Sequence, residues 1–191
     1  MGVKEWLKRR RNEVPQQAGR FSEKARKALE EKGFIILELT GQSIKTLRDA
    51  GNKISSTWYK DYHEFEGHTS SLSQVAILPE LFLRDSNNKT FAEQEKLVAE
   101  FSKNLNIRGV KAIIGDTADY VELAFSDPEK TGGPLFGEKF GYNYTRIRNK
   151  TTGNNDAYVG RLDPEDGLHV INGDRDARHE FLFVAPILVA A

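Results

Sequence analysis

Hydrophobic residues return at helical spacing from the start of the chain, where Val3, Trp6, Leu7 and Val14 share a face and Pro15 closes the segment. A narrow stripe of Ala25, Ala28 and Leu29 predicts a second helix that starts after Ser22 and stops before Gly33. The apolar run Phe34–Leu39 then reads as a strand, and TGQSIKTLRDAG as a turn, a short helix and a glycine stop. The clearest local pattern is TFAEQEKLVAEFSKNL. Thr90 with Glu93 three residues on is a capping box, and Phe91, Leu97, Val98, Phe101 and Leu105 follow on one face. After it, VKAIIG and YVELAF predict two strands joined by DTAD, with Val121, Leu123 and Phe125 alternating inward. The remainder, YNYTRIRN, AYVGRL, LHVIN and FLFVAPILVAA, reads as strands, with DPEDG between Leu162 and Leu168 as a hairpin loop. Helices therefore dominate the first half and antiparallel strands the second, the pattern of an α+β protein.

The polarity of the last segment is abrupt. GDRDARHE, dense in charge, runs directly into FLFVAPILVAA, which has none. A strand that apolar has to be covered on both faces or on most of one, since each large side chain gains roughly 1.5–3 kcal/mol by burial, and Pro186 belongs at a bulge or an edge. Asn172–His179 cannot follow it inside, because unpaired charges cost far more than the strand gains. A rigid strand thus tethers one end of a polar loop and LHVIN tethers the other, which is how binding loops are built.

Charge alters this picture only locally. Lysine plus arginine equals aspartate plus glutamate, 28 against 28, so no net field draws the molecule towards nucleic acid or an anionic surface. Residues 1–32 nevertheless carry ten basic and five acidic side chains, with Lys8–Arg11 the densest cluster. That cluster is either a solvated helix face or the contact of a nucleic-acid accessory protein, the second being the weaker reading without interleaved aromatics. Residues 1–33 accordingly read as a basic helical extension and 34–191 as one α+β domain. Cysteine is absent, which excludes disulfides, thiol catalysis and thiolate metal sites. No apolar run reaches the roughly 20 residues of a membrane span, and no apolar core follows the basic N-terminus as a secretory signal requires. Synthesis in the cytoplasm is the expectation.

No motif names a reaction. DYHEFEGH supplies Asp61, His63, Glu64, Glu66 and His68, but its HExxxH spacing puts the histidines on different helix faces. GDRDARHE offers Asp174, Asp176, His179 and Glu180, yet Arg178 and His179 stand where a calcium loop needs an oxygen ligand and a glycine. GGPLFGEKFG lacks the phosphate-loop signatures, so Gly132–Gly141 reads as a surface loop. Trp58, Tyr59 and Tyr62 are either a stacking platform or ordinary core. No cofactor or metal follows from these patterns.

The C-terminal third, AYVGRL, GLHVINGD and HEFLFVAPILVAA, sets a Gly-Arg strand, a hairpin, a polar stretch and a closing apolar strand in succession. In this it resembles the variable region of target proteins of diversity-generating retroelements. The resemblance implies a C-type-lectin-like fold with a variable region at about 150–191. It also implies template-directed diversification of exposed positions there. Those positions would be Arg161, Asp163, His169, Asn172, Asp174, Arg175, Asp176, Arg178 and His179, with Gly160, Leu162, Val170 and Phe181–Val189 as framework. The Glu-Pro-Asn and Trp-Asn-Asp signatures of calcium-dependent sugar-binding lectins are missing, so calcium and carbohydrate are not implied. The expectation is a non-enzymatic protein that recognises a protein or small ligand at its C-terminal surface. Its rival from another class is a metal-dependent hydrolase or nuclease built on Asp174, Asp176 and His179 together with the Asp61–His68 cluster.

Overall fold

The computed structural model describes residues 19–55, 65–150 and 156–191. The first expected helix, the Lys8–Arg11 cluster, the aromatics Trp58, Tyr59 and Tyr62, and the candidate ligands Asp61, His63 and Glu64 lie outside these residues.

The described chain is α+β. Helix α1 (Glu23–Glu31) begins on Ser22, whose hydroxyl accepts the Ala25 N–H, and leads into strand β1 (Ile35–Glu38). Helix α2 (Ile44–Asp49) and the short strand β2 (Ile54–Ser55) follow, then β3 (Gln74–Ile77). Helix α3 (Phe91–Leu105) carries the full capping box between Thr90 and Glu93 and ends on Asn106 in the left-handed conformation. Strand β4 (Val110–Ile113) precedes helix α4 (Thr117–Ala124) and the single turn α5 (Pro128–Thr131). The last third contains β5 (Tyr144–Lys150), β6 (Asp156–Asp163), β7 (Gly167–Gly173), β8 (Leu182–Phe183) and β9 (Ile187–Ala190).

These strands form two sheets. One has the order β1-β3-β9-β4, antiparallel throughout, and the other β2-β7-β6-β5-β8. The second sheet is antiparallel in its middle but parallel at both edges, where β2 pairs with β7 and β8 with β5. The wholly antiparallel second half expected from the sequence is therefore bordered by parallel pairs.

The apolar terminus is divided between the sheets. Leu182 and Phe183 extend the second, Ile187–Ala190 occupy the interior of the first, and Val184, Ala185 and Pro186 cross between them, all buried. Along β9, Ile187 and Val189 enter the main core beside Leu37, Val75 and Ile77. Leu188 points the other way, against Ala76, Leu105 and Leu29 of α1. Both faces are covered, which is why no polar residue interrupts the run. The packing of Ala25 and Leu29 there builds α1 into the fold, although the basic extension was expected to run to residue 33.

The crossing has no strand partner for its peptide groups; the Leu83 N–H, which donates to the Val184 carbonyl at 2.9 Å, and buried hydroxyls serve instead. Val184 N–H donates to Ser86 Oγ at 3.1 Å, and Ala185 N–H to Thr145 Oγ1 at 2.9 Å. Tyr120 donates its hydroxyl to the Ala185 carbonyl at 2.6 Å. Pro186 lacks an N–H and so leaves none to satisfy.

Two expectations are corrected. YVELAF is not a strand: it belongs to α4, and DTAD supplies the Asp116 N-cap and first turn of that helix. All eight residues of α4 are buried, so the helix has no polar face and its sequence shows no helical period. Its charged members are held from within. Asp119 takes the Ser70 hydroxyl at 2.6 Å and the Asp116 N–H at 2.8 Å, while Glu122 accepts from Thr40 and Gly41. Gly132–Gly141 is likewise no simple surface loop. Leu135 and Phe136 are pinned in the main core, leaving the glycines to make the turns around them.

Candidate functional site

The second sheet sets Tyr144, Gly160 and His169 side by side across β5, β6 and β7. Gly160 has no room for a side chain, since a Cβ there would lie 2.3 Å from the Asn143 carbonyl oxygen. With nothing standing between them, the Tyr144 hydroxyl and His169 Nδ1 come within 3.1 Å. Over this row opens a pocket of about 550 Å³. Tyr142, Tyr144, Ile171 and Phe181 make its apolar wall; Arg161, Asp163, His169 and Asn172 supply the polar groups.

Each wall has a local cause. Phe181 precedes β8, whose parallel pairing with β5 begins where the Tyr144 N–H donates to the Phe181 carbonyl at 3.0 Å. Its ring meets Tyr144 edge-on at 6.0 Å and stacks on His179 at 5.0 Å. Phe181 is the large apolar residue left exposed among those described, at 42%. The resemblance placed Phe181 in the framework, whereas it stands at the rim of the pocket.

The polar side is set by the β6–β7 turn. Asp163 Oδ1 accepts the N–H groups of Glu165 at 3.0 Å and Asp166 at 2.7 Å, which fixes the carboxylate and leaves Oδ2 facing inward. Oδ2 stands 3.7 Å from His169 Nε2 and 3.7 Å from Arg161 Nε. The Asp166 N–H is the chief cause holding the Asp163 carboxyl below its ordinary pKa. Burial pushes His169 below its ordinary value, so its ring is neutral at neutral pH, and burial pushes the Tyr144 hydroxyl up. The site therefore combines a neutral imidazole, an ionised carboxylate and an arginine whose side chain is half exposed.

Four of the nine positions singled out in the sequence, Arg161, Asp163, His169 and Asn172, line this pocket, and His179 borders it through Phe181. The remaining four form a neighbouring loop docked on the N-terminal end of α3. Its backbone is locked: Phe91 N–H donates to the Arg175 carbonyl at 3.1 Å and Asn88 N–H to that of His179 at 3.0 Å. Beneath it lies Arg146, wholly buried, which donates to the carbonyls of Lys89, Asp174 and Ala177. Asp174 and Asp176 are exposed. The two arginines are engaged internally. Arg175 lies over the Phe91 ring at 3.5 Å, and Arg178 pairs with Glu93 at 2.9 Å while donating to the Asn88 carbonyl.

Among the described residues, Asp174, Asp176 and His179 form no group able to hold an ion; Asp163, Asp166 and His169 do. Glu66 of the DYHEFEGH stretch is paired with Arg48, and His68 lies edge-on to Phe65. Sequence reasoning missed Tyr142, Tyr144, Ile171 and Phe181. The alternation of tyrosines in YNY, two on one face of an incoming strand, was the available sign. Comparison with known proteins returns no matching protein-family model, no matching curated protein and no matching solved structure.

Proposed function

We propose that this chain is a non-enzymatic recognition protein whose ligand seats in the pocket between Tyr144, Phe181 and the β6–β7 hairpin. One observation carries the reading: three aromatic rings and four polar side chains converge on a concavity of about 550 Å³, the size and make-up of a small-ligand site. Arg161 offers a planar fork for a carboxylate or similar anion, Asn172 adds an amide, and the exposed ring of Phe181 gives an apolar anchor. A folded peptide loop that inserts one acidic or aromatic side chain is the partner this chemistry fits.

The same reading includes a C-type-lectin-like architecture and a diversified C-terminal segment. What supports it is a division of labour along the chain. Arg161, Asn172, Asp174, Asp176 and His179 face solvent, while Gly160, Val170, Leu182 and Val184 are buried beneath them. A surface arranged in this way accepts new side chains without disturbing its support.

The direct test is a fragment and peptide screen by ligand-observed NMR on the full chain. Binders that are lost in Arg161→Ala and Phe181→Ala, with melting temperature held, support the pocket; binders indifferent to both overturn it. For the diversified segment the test is the DNA beside the gene. A near-copy of its 3′ end, altered mainly at adenines and adjoining a reverse transcriptase, is expected.

A further inference from the structure

We propose that the turn of the β6–β7 hairpin binds a divalent transition-metal ion of the zinc type through Asp163, Asp166 and His169. The potential ligand atoms of these three residues lie within 4.8 Å of one another. The decisive observation is His169 itself. The residue is 5% exposed, and its Nε2 is shielded from solvent without any hydrogen-bond partner. A buried polar atom left unsatisfied costs roughly 1–3 kcal/mol, and an ion on Nε2 removes that deficit.

The surroundings are prepared for such an ion. Nδ1 lies 3.1 Å from the Tyr144 hydroxyl; with the proton on Nδ1 and donated to that oxygen, the Nε2 lone pair is left for an ion, the arrangement of histidines that ligate metals. Asp163 spends Oδ1 on the N–H groups of Glu165 and Asp166, so the oxygen turned towards Nε2 is Oδ2. The 3.7 Å between Oδ2 and Nε2 is too long for a hydrogen bond. It is close to the ~3.4 Å that separates two ligands of a tetrahedral ion bound at about 2.1 Å. One imidazole with two carboxylates selects zinc and its first-row neighbours over calcium and magnesium, which take oxygen alone.

Three protein ligands leave a zinc-type ion with an open position. Asp163 and His169 both line the pocket, so the ion would stand at its wall. Arg161 competes for the same oxygen from 3.7 Å with a side chain that is half exposed. The inference stands apart from the recognition reading. A pocket that takes no metal still binds or fails to bind its organic ligand in the screen above.

The experiment is calorimetric titration of chelator-stripped full chain with zinc chloride, with magnesium and calcium chloride in parallel. One saturable zinc site of micromolar affinity is expected, with no comparable uptake of the other two. Asp166→Asn, on an exposed residue that leaves the core untouched, is expected to weaken zinc binding by about tenfold or more, and His169→Gln to do the same. X-ray absorption at the zinc edge is expected to report mixed nitrogen and oxygen ligation. No saturable zinc uptake, or uptake unchanged in folded Asp166→Asn, overturns the proposal.

Discussion

The guanidinium of Arg146, with no solvent exposure, donates to the backbone carbonyl of Asp174 at 3.2 Å. Tyr158 donates to the same carbonyl at 2.6 Å, and the second arm of Arg146 reaches the carbonyls of Lys89 and Ala177. The polar loop is thus secured by its backbone from below, which leaves the side chains of Asp174 and Asp176 exposed. Arg146→Met leaves the Asp174 carbonyl with Tyr158 alone and takes this donor from the carbonyls of Lys89 and Ala177, and an acceptor left unsatisfied costs roughly 1–3 kcal/mol. A loss of about 3 kcal/mol or more in urea unfolding is expected. The amides of Asn88 and Phe91, which donate to this loop, should exchange faster with solvent. Arg146→Lys should not rescue, because an ammonium cannot span carbonyls on both sides.

Within that loop, exposure separates two kinds of position. Asp176→Ala should shift stability by only about 0.5 kcal/mol, its side chain being exposed, and His179→Ala by no more than about 1 kcal/mol, its ring being exposed but stacked on Phe181. Arg175→Ala removes a cation stacked 3.5 Å over the Phe91 ring and should cost about 1–2 kcal/mol. Thermal unfolding of the variants checks the contrast. Equal losses at all three positions would refute the division between support and display.

The junction of the loop with α3 makes stability pH-dependent. The Thr90 N–H, and after it Arg178, hold the Glu93 carboxyl at about 2, below its ordinary value of 4.5. The folded state therefore favours the ionised form. Its stabilisation is complete above pH 4.5 and disappears as pH falls through about 2. Arg178→Gln should move the Glu93 titration up towards the ordinary value and flatten this acid limb, as read by carbon-detected NMR of the Glu93 carboxyl.

What the sequence disclosed divides along physical lines. Helix α3 and the DPEDG turn were legible because their signals are local: a capping box, one apolar face, a glycine at φ 83°. Helix α4 was not, because burial on every side erases the helical period and leaves Val121 and Leu123 to mimic a strand. The same distinction governs the site. Arg161, Asp163, His169 and Asn172 sit on one hairpin and could be grouped by proximity in sequence. Tyr144 reaches it through the β5–β6 pairing and Phe181 through the parallel β5–β8 pairing, long-range contacts that no local pattern announces.

Gly160 holds the site open, and its replacement tests that. The Cβ of Gly160→Ala would stand 2.3 Å from the Asn143 carbonyl oxygen and 2.5 Å from the Tyr144 Cα, backbone atoms at the entry to and start of the neighbouring strand. Neither can yield without disturbing the β5–β6 pairing, so a loss of about 1–3 kcal/mol is expected. The Tyr144–His169 contact should open as well. Imidazole nitrogen shifts in the NMR spectrum report it, and an unchanged His169 signal would show that Gly160 does not position the pair.

The terminal strand yields the sharpest test of the architecture. β9 lies between β3 and β4, with Leu188 opposite Ala76 on one side and Ala112 on the other. Its side chain is fully buried beside Leu29 of α1 and Leu105 of α3, so it joins both helices to the sheet. Leu188→Ala leaves a cavity that two helices and three strands would have to close together. A cost of 2–5 kcal/mol is typical of such a site, and the upper half is expected here because the sheet cannot collapse inward. Leu188→Met, which nearly conserves volume, should cost less than about 1.5 kcal/mol. Urea titrations of the two variants separate the cases: near-equal midpoints would mean that β9 is not the packed interior strand from which the polar loop and the pocket are suspended.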